Sequence, residues 1–175
     1  MSLLRFLGLE TIDATYNPPE TETVRKISRV LEALEPERAR YVAAFAYLLH
    51  RVAGADLNIS PEETAAIERI LAEQAGLTGE TGRLVLEIAR EQKLRAGGTE
   101  DFLVTREFNR LATRQQKVAL LHCLFLVGAS DDSVSVVEDN EIRQIASEIC
   151  LDHADFIAVR SAFREHLAVL KNHRR

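Results

Sequence analysis

Apolar positions recur at helical spacing along nearly the whole chain. Val24, Ile27, Val30, Leu31 and Leu34 share one face of a first helix. Pro36 restarts the chain at a first helical position, and the second helix runs to about Ala53 with Phe45, Leu48, Leu49 and Val52 on one face. A third helix begins at Ser60, carries Ile67, Ile70 and Leu71, and stops near Gly76. Leu84, Leu86, Ile88 and Ala89 mark a fourth. After Gly97-Gly98, Thr99 is the expected cap of a fifth helix holding Phe102, Leu103, Phe108 and Leu111. The apolar run from Val118 to Ala129 is the sixth. A seventh starts near Ser135, and an eighth passes through Phe156, Val159, Phe163, Leu167 and Leu170. No segment alternates as a strand does. The predicted fold is therefore all-α, a bundle of seven to eight helices. Residues 1–19 form an N-terminal segment and linker, and 20–172 the helical domain.

Two parts of this pattern are copies. Shifted by 75 positions, Val52–Ile70 falls on Val127–Ile145 without a gap. Asp56 meets Asp131, Ile59 meets Val134, Ser60 meets Ser135 and Glu63 meets Glu138. Ile67 and Ile70 meet Ile142 and Ile145. Each half thus holds a long apolar helix, a short polar turn and an amphipathic helix. The bundle is expected to relate these two helix-turn-helix halves by a pseudo-twofold.

The polar residues of the repeat admit two readings. In the first they start a helix. Ser60 with Glu63, and Ser135 with Glu138, have the spacing of a capping box, in which Ser accepts from the Glu amide and Glu from the Ser amide. Ile59 and Val134 stand where a staple residue would. Asp56 and Asp131 can accept backbone bonds in the turn. In the second reading the oxygens hold a divalent cation. Asp56, Asn58 and Ser60 occupy the first, third and fifth places of a calcium loop, as do Asp131, Ser133 and Ser135. An EF-hand then needs Gly at the sixth place and Glu at the twelfth. Pro61 or Val136, and Ile67 or Ile142, stand there instead, so an EF-hand is excluded. A looser, weak cation site would draw on Asp56, Asn58 and Glu63 in one copy, and on Asp131, Asp132 and Glu138 in the other.

The repeat, and above all Ala119–Arg160, resembles the TerB-like family, which includes tellurite-resistance protein B and the N-terminal region of a membrane-anchored DnaJ-type co-chaperone. The resemblance spans roughly Glu20 to Leu170. Glu100–Leu121 is similar to the matching segment of a short, stand-alone bacterial subgroup. The resemblance implies acidic functional positions at Asp56 and Glu63, and at Asp131 and Glu138, suggested for the family as a metal or partner site. This chain departs from the family's glycine after the Asp, having Leu57 and Asp132 there. The implied function is a non-enzymatic interaction module in stress responses to tellurite or other toxic oxyanions, its acidic turns facing a protein partner or a cation. The alternatives are a divalent-cation sensor or buffer and, last, a hydrolase using paired carboxylates.

Composition narrows the classes further. Hydrophobic residues are 46% and charged residues 28%, with no Trp, so the core is expected to be mainly Leu, Ile, Val and Ala. The formal net charge of −5 opposes a phosphate backbone and excludes nucleic acid as the expected partner. Leu3, Leu4, Phe6, Leu7 and Leu9 suit a short apolar helix packed on the domain, with peripheral membrane contact through residues 1–10 as the other option. No signal peptide is evident, and a cytoplasmic protein, with homodimerisation open, is expected. Cys123 and Cys150 are expected to be buried, inert thiols. His50 and His122 lie on apolar helices as packed residues. No P-loop, HExxH, Cys/His cluster or nucleophile elbow occurs, so neither a catalytic residue nor a cofactor is expected.

Overall fold

The computed structural model describes residues 29–53, 60–91, 98–130 and 133–167. The first helical piece ends at residue 32, followed by α1 (Pro36–Ala53), α2 (Pro61–Glu73), α3 (Glu80–Glu91), α4 (Gly98–Leu111), α5 (Arg114–Gly128), α6 (Val136–Glu148) and α7 (His153–Ala162). A 3-10 turn, Arg164–His166, closes the described chain. No strand forms among the described residues. One isolated parallel bridge joins Val134 to Leu167.

Two long helices make the centre. α1 packs against α3, α4, α5 and α6, and α5 against α1, α2, α6 and α7. The sequence suggests one apolar face on α1. Instead every residue from Tyr41 to His50 is buried, because helices surround it. A fully buried Leu or Phe contributes about 1.5–3 kcal/mol, and this helix buries more apolar residues than any other described helix. The core is also more aromatic than composition implies. Tyr41 stacks on Phe108 with centroids 5.6 Å apart, and Phe45 meets Phe108 edge-on at 5.9 Å. In the second half Phe125 stacks on Phe163 at 5.2 Å.

Helix ends follow local chemistry. Gly76 takes φ +68° just after α2, as its place at the helix stop requires. The neighbouring Ala75 carbonyl accepts from Tyr41 Oη at 3.3 Å and from Gln116 Nε2 at 3.2 Å, and Arg38 donates to the Gly76 carbonyl. Two boundaries differ from expectation. α4 begins at Gly98, so Thr99 lies inside the helix and is not its cap. α7 ends at Ala162, where the chain tightens into the 3-10 turn; Leu167 then pairs with Val134 and does not continue a helix. The expected N-terminal segment, residues 1–19, and Leu170 lie outside the described residues.

Candidate functional site

Both capping boxes form. Ser60 and Ser135 take extended backbone at φ −63° and −67° and start α2 and α6. Glu63 donates its amide to Ser60 Oγ at 3.2 Å, and Glu63 Oε2 accepts from Ser60 N at 2.9 Å and from Ser60 Oγ at 2.8 Å. In the second copy Glu138 donates to Ser135 Oγ at 3.2 Å, and Glu138 Oε2 accepts from Ser135 N at 2.7 Å. Negative carboxylates in a first turn also complement the helix dipole. One oxygen of each Glu is thereby directed at a backbone amide. The other expected ligands, Asp56, Asn58, Asp131 and Asp132, lie outside the described residues. Among the described residues no group of three or more His, Cys, Asp and Glu side chains could hold a metal ion.

Val134 is no staple. The fourth helical position of α6 is Asp139, an ion-paired acid with nothing apolar to offer Val134. Val134 is instead buried, its amide donating to the His166 carbonyl at 2.8 Å. Its Cγ1, with Val52 Cγ1 and Ile142 Cδ1, lines the space beside Gly128.

Two arginines fix α6, and the sequence pattern contains neither. Arg51, near the end of α1, has a side chain only 5% exposed. Its Nε donates to Glu141 Oε1 at 2.8 Å and its Nη1 to Glu148 Oε2 at 2.9 Å. Asp101 Oδ1, which accepts from Tyr47 Oη at 2.8 Å, lies 3.7 Å from Arg51 Nε. One guanidinium thus gathers three carboxylates from α4 and α6, five residues before Asp56 in the sequence. Burial pulls the Arg51 pKa down, but the bonds and charges of Glu148 and Glu141 outweigh it and hold the pKa above the ordinary value. Arg51 answers in turn for a Glu148 carboxyl held below its usual range against the opposing effect of burial. The second clamp is a two-pronged pair: Arg160 Nε and Nη2 donate to Asp139 Oδ1 and Oδ2 at 2.8 and 2.7 Å.

The remaining reactive groups are structural or apart. His50 is buried, and its Nδ1–H donates to the Ala89 carbonyl at 2.8 Å. Burial lowers its pKa, and that of half-buried His122. Cys123 is buried, which raises its pKa. Cys150, expected to be buried, is exposed. It takes φ 53° where α6 ends, a left-handed position that turns the side chain outward, where Asn109 Nδ2 donates to Sγ at 3.5 Å. Two surface depressions flank Gly79, and Arg83 lines both. No helix among the described residues is long and apolar enough to cross a membrane.

Residues 42–161 match the model of the family described as tellurite resistance protein TerB. That span runs from the centre of α1 into α7 and holds both capping boxes and both arginine clamps. No curated protein and no solved structure matches the chain.

Proposed function

The chain belongs to the TerB family, and from that premise we propose that it is a non-enzymatic, cytoplasmic interaction module in the response to tellurite or other toxic oxyanions. Its two acidic turns, carrying Asp56 with Asn58 and Asp131 with Asp132, face a protein partner. The observation that supports this reading is the pair of capping boxes. Ser60, Glu63, Ser135 and Glu138 are engaged in starting helices, so Asp56 and Asp131 are the repeated acidic residues that the capping boxes do not use. Glu63 and Glu138 are correspondingly poor candidates for metal ligands, because a cation would compete with a backbone amide for each carboxylate.

The variants Asp56→Ala and Asp131→Ala test it. The proposal expects unchanged thermal unfolding and reduced recovery of the partner that the wild-type protein retains from its own cell extract. Equal recovery with a lowered melting temperature assigns both aspartates to the turns alone and ends the proposal. Calorimetric titration with calcium, magnesium and zinc separates the partner from a cation: heat at submillimolar metal that both variants abolish favours a cation sensor or buffer.

A further inference from the structure

The two capping boxes enclose different residues. In the first copy these are Pro61 and Glu62, a proline suited to a first helical turn and a charged side chain, both exposed. In the second they are Val136 and Val137, 52% and 78% exposed. Val137 is the most exposed large apolar side chain among the described residues. A β-branched residue loses rotamer freedom in a helix, and here it gains no burial in return.

A second feature lies beside this pair. Val134, two residues before Val136, is joined to Leu167 by the parallel bridge, its amide donating to the His166 carbonyl at 2.8 Å. Val134 and Leu167 are each 1% exposed, so the described chain ends at a fixed point. Because the bridge is parallel, the chain leaving Leu167 sets out in the same direction as the chain leaving Val134, toward the first turn of α6. The residues that follow are the apolar Ala168, Val169 and Leu170, and then the basic stretch 171–175. Val169 and Leu170 stand as far past Leu167 as Val136 and Val137 stand past Val134. Two or three residues of extended chain span about 7–10 Å, and a paired strand lies about 4.8 Å from its neighbour.

We propose that residues 168–170 pack on the first turn of α6 and cover Val136 and Val137, while the chain from Lys171 onward leaves toward solvent. The strap that closes at Leu167 is thereby extended across the start of α6. This segment arrives tethered beside the valines, at a local concentration that neither a second copy nor another protein has. The first copy needs no such cover, since Pro61 and Glu62 suit solvent.

Paired cysteines test the proposal in the full chain carrying Cys150→Ser, which removes the exposed native thiol. Leu170→Cys is combined with Val136→Cys, with Val137→Cys or, as a control, with Glu62→Cys on the matching turn of the first copy. On mild oxidation of dilute protein, at least one valine pair closes within a single chain roughly tenfold faster than the control, because the bond needs Cα atoms within about 7 Å. Rates equal to the control, or disulfides only between chains, overturn the proposal. Trypsin cleavage after Lys171 gives a reading without cysteines, since the protease needs the residues before that bond free. Val136→Pro with Val137→Gln gives the second helix start the polar character of the first and leaves its capping box in place. That variant keeps the helical spectrum and is cut after Lys171 about fivefold faster than the wild type, because cleavage follows the undocked population. An unchanged cleavage rate overturns the proposal as well.

Discussion

The two copies of the repeat start their second helices in the same way and hold them by different means. α2 and α6 share the capping box and a buried isoleucine, Ile67 or Ile142, at the same place. Beyond that they diverge. α6 is gripped by Arg51 through Glu141 and Glu148, and by Arg160 through Asp139. The matching positions on α2 are Ala66, Glu73 and Thr64, and Arg51 itself matches Leu126. An ion pair from α2, Glu68 with Arg83, is long at 3.8 Å and exposed, and such pairs contribute little. α2 relies on Ile67 and Leu71, and on the bonds to the chain just past its end. A repeated motif therefore specifies where a helix begins, while residues outside it decide how firmly that helix is docked.

The comparison breaks most sharply at Arg51. Arg51→Met keeps the volume of the side chain but leaves Asp101, Glu141 and Glu148 facing one another. We expect a loss of about 3 kcal/mol in urea unfolding, because the carboxylates lose their shared cation. Leu126, its counterpart, should accept Met at a cost below about 1.5 kcal/mol. Equal losses at the two sites would show that the two halves are docked alike. The shared element should behave symmetrically. Ser60→Ala and Ser135→Ala are each expected to cost about 1 kcal/mol, and a large difference between them would mean that the caps are not equivalent.

A smaller effect of opposite sign is expected at Gly128, whose counterpart in the first copy is Ala53. A Cβ there would meet Val134, Val52 and Ile142 at 3.6–3.7 Å, ordinary contact distances. Gly128→Ala should raise stability by about 0.5–1 kcal/mol through the unfolded chain's lost freedom, and a lowered melting temperature would contradict it. The weakest expected signal is the pH response. Each half carries a histidine in its long helix, buried His50 or half-buried His122, with the pKa lowered from 6.5. Above pH 6.5 both folded and unfolded chains are neutral there and stability is complete. Below it the unfolded chain takes up protons that the folded chain resists, so stability declines toward the lowered pKa. His50→Gln should flatten the stability profile between mildly acidic and neutral pH, and an unchanged slope would assign it to other groups.

These differences also mark what the sequence makes legible. The capping boxes were readable because every atom involved lies within four residues. The all-α fold follows from apolar spacing that persists from Val24 onward. The arginine clamps were not readable, since Arg51 finds its acids 90 and 97 residues away and nothing in the pattern around it announces them. Cys150 was misplaced for a subtler reason. Hydrophobic context sets burial only while the helix continues, and at Cys150 the backbone turns left-handed. Of the expected ligands, Glu63 and Glu138 are seen in the capping boxes, while Asp56, Asn58, Asp131 and Asp132, legible as types and positions, lie outside the described residues.

One bond carries a consequence for how the molecule opens. The Val134 amide donates across to the His166 carbonyl, so α6 and α7 form a loop closed at both ends by the same contact. Hydrogen exchange at that single amide therefore reports release of the 3-10 strap, separately from melting of either helix. Were the strap to lift in the native protein, Val134 would exchange ahead of the buried centre of α5. The segment around Val134 would then open before the centre of the bundle does.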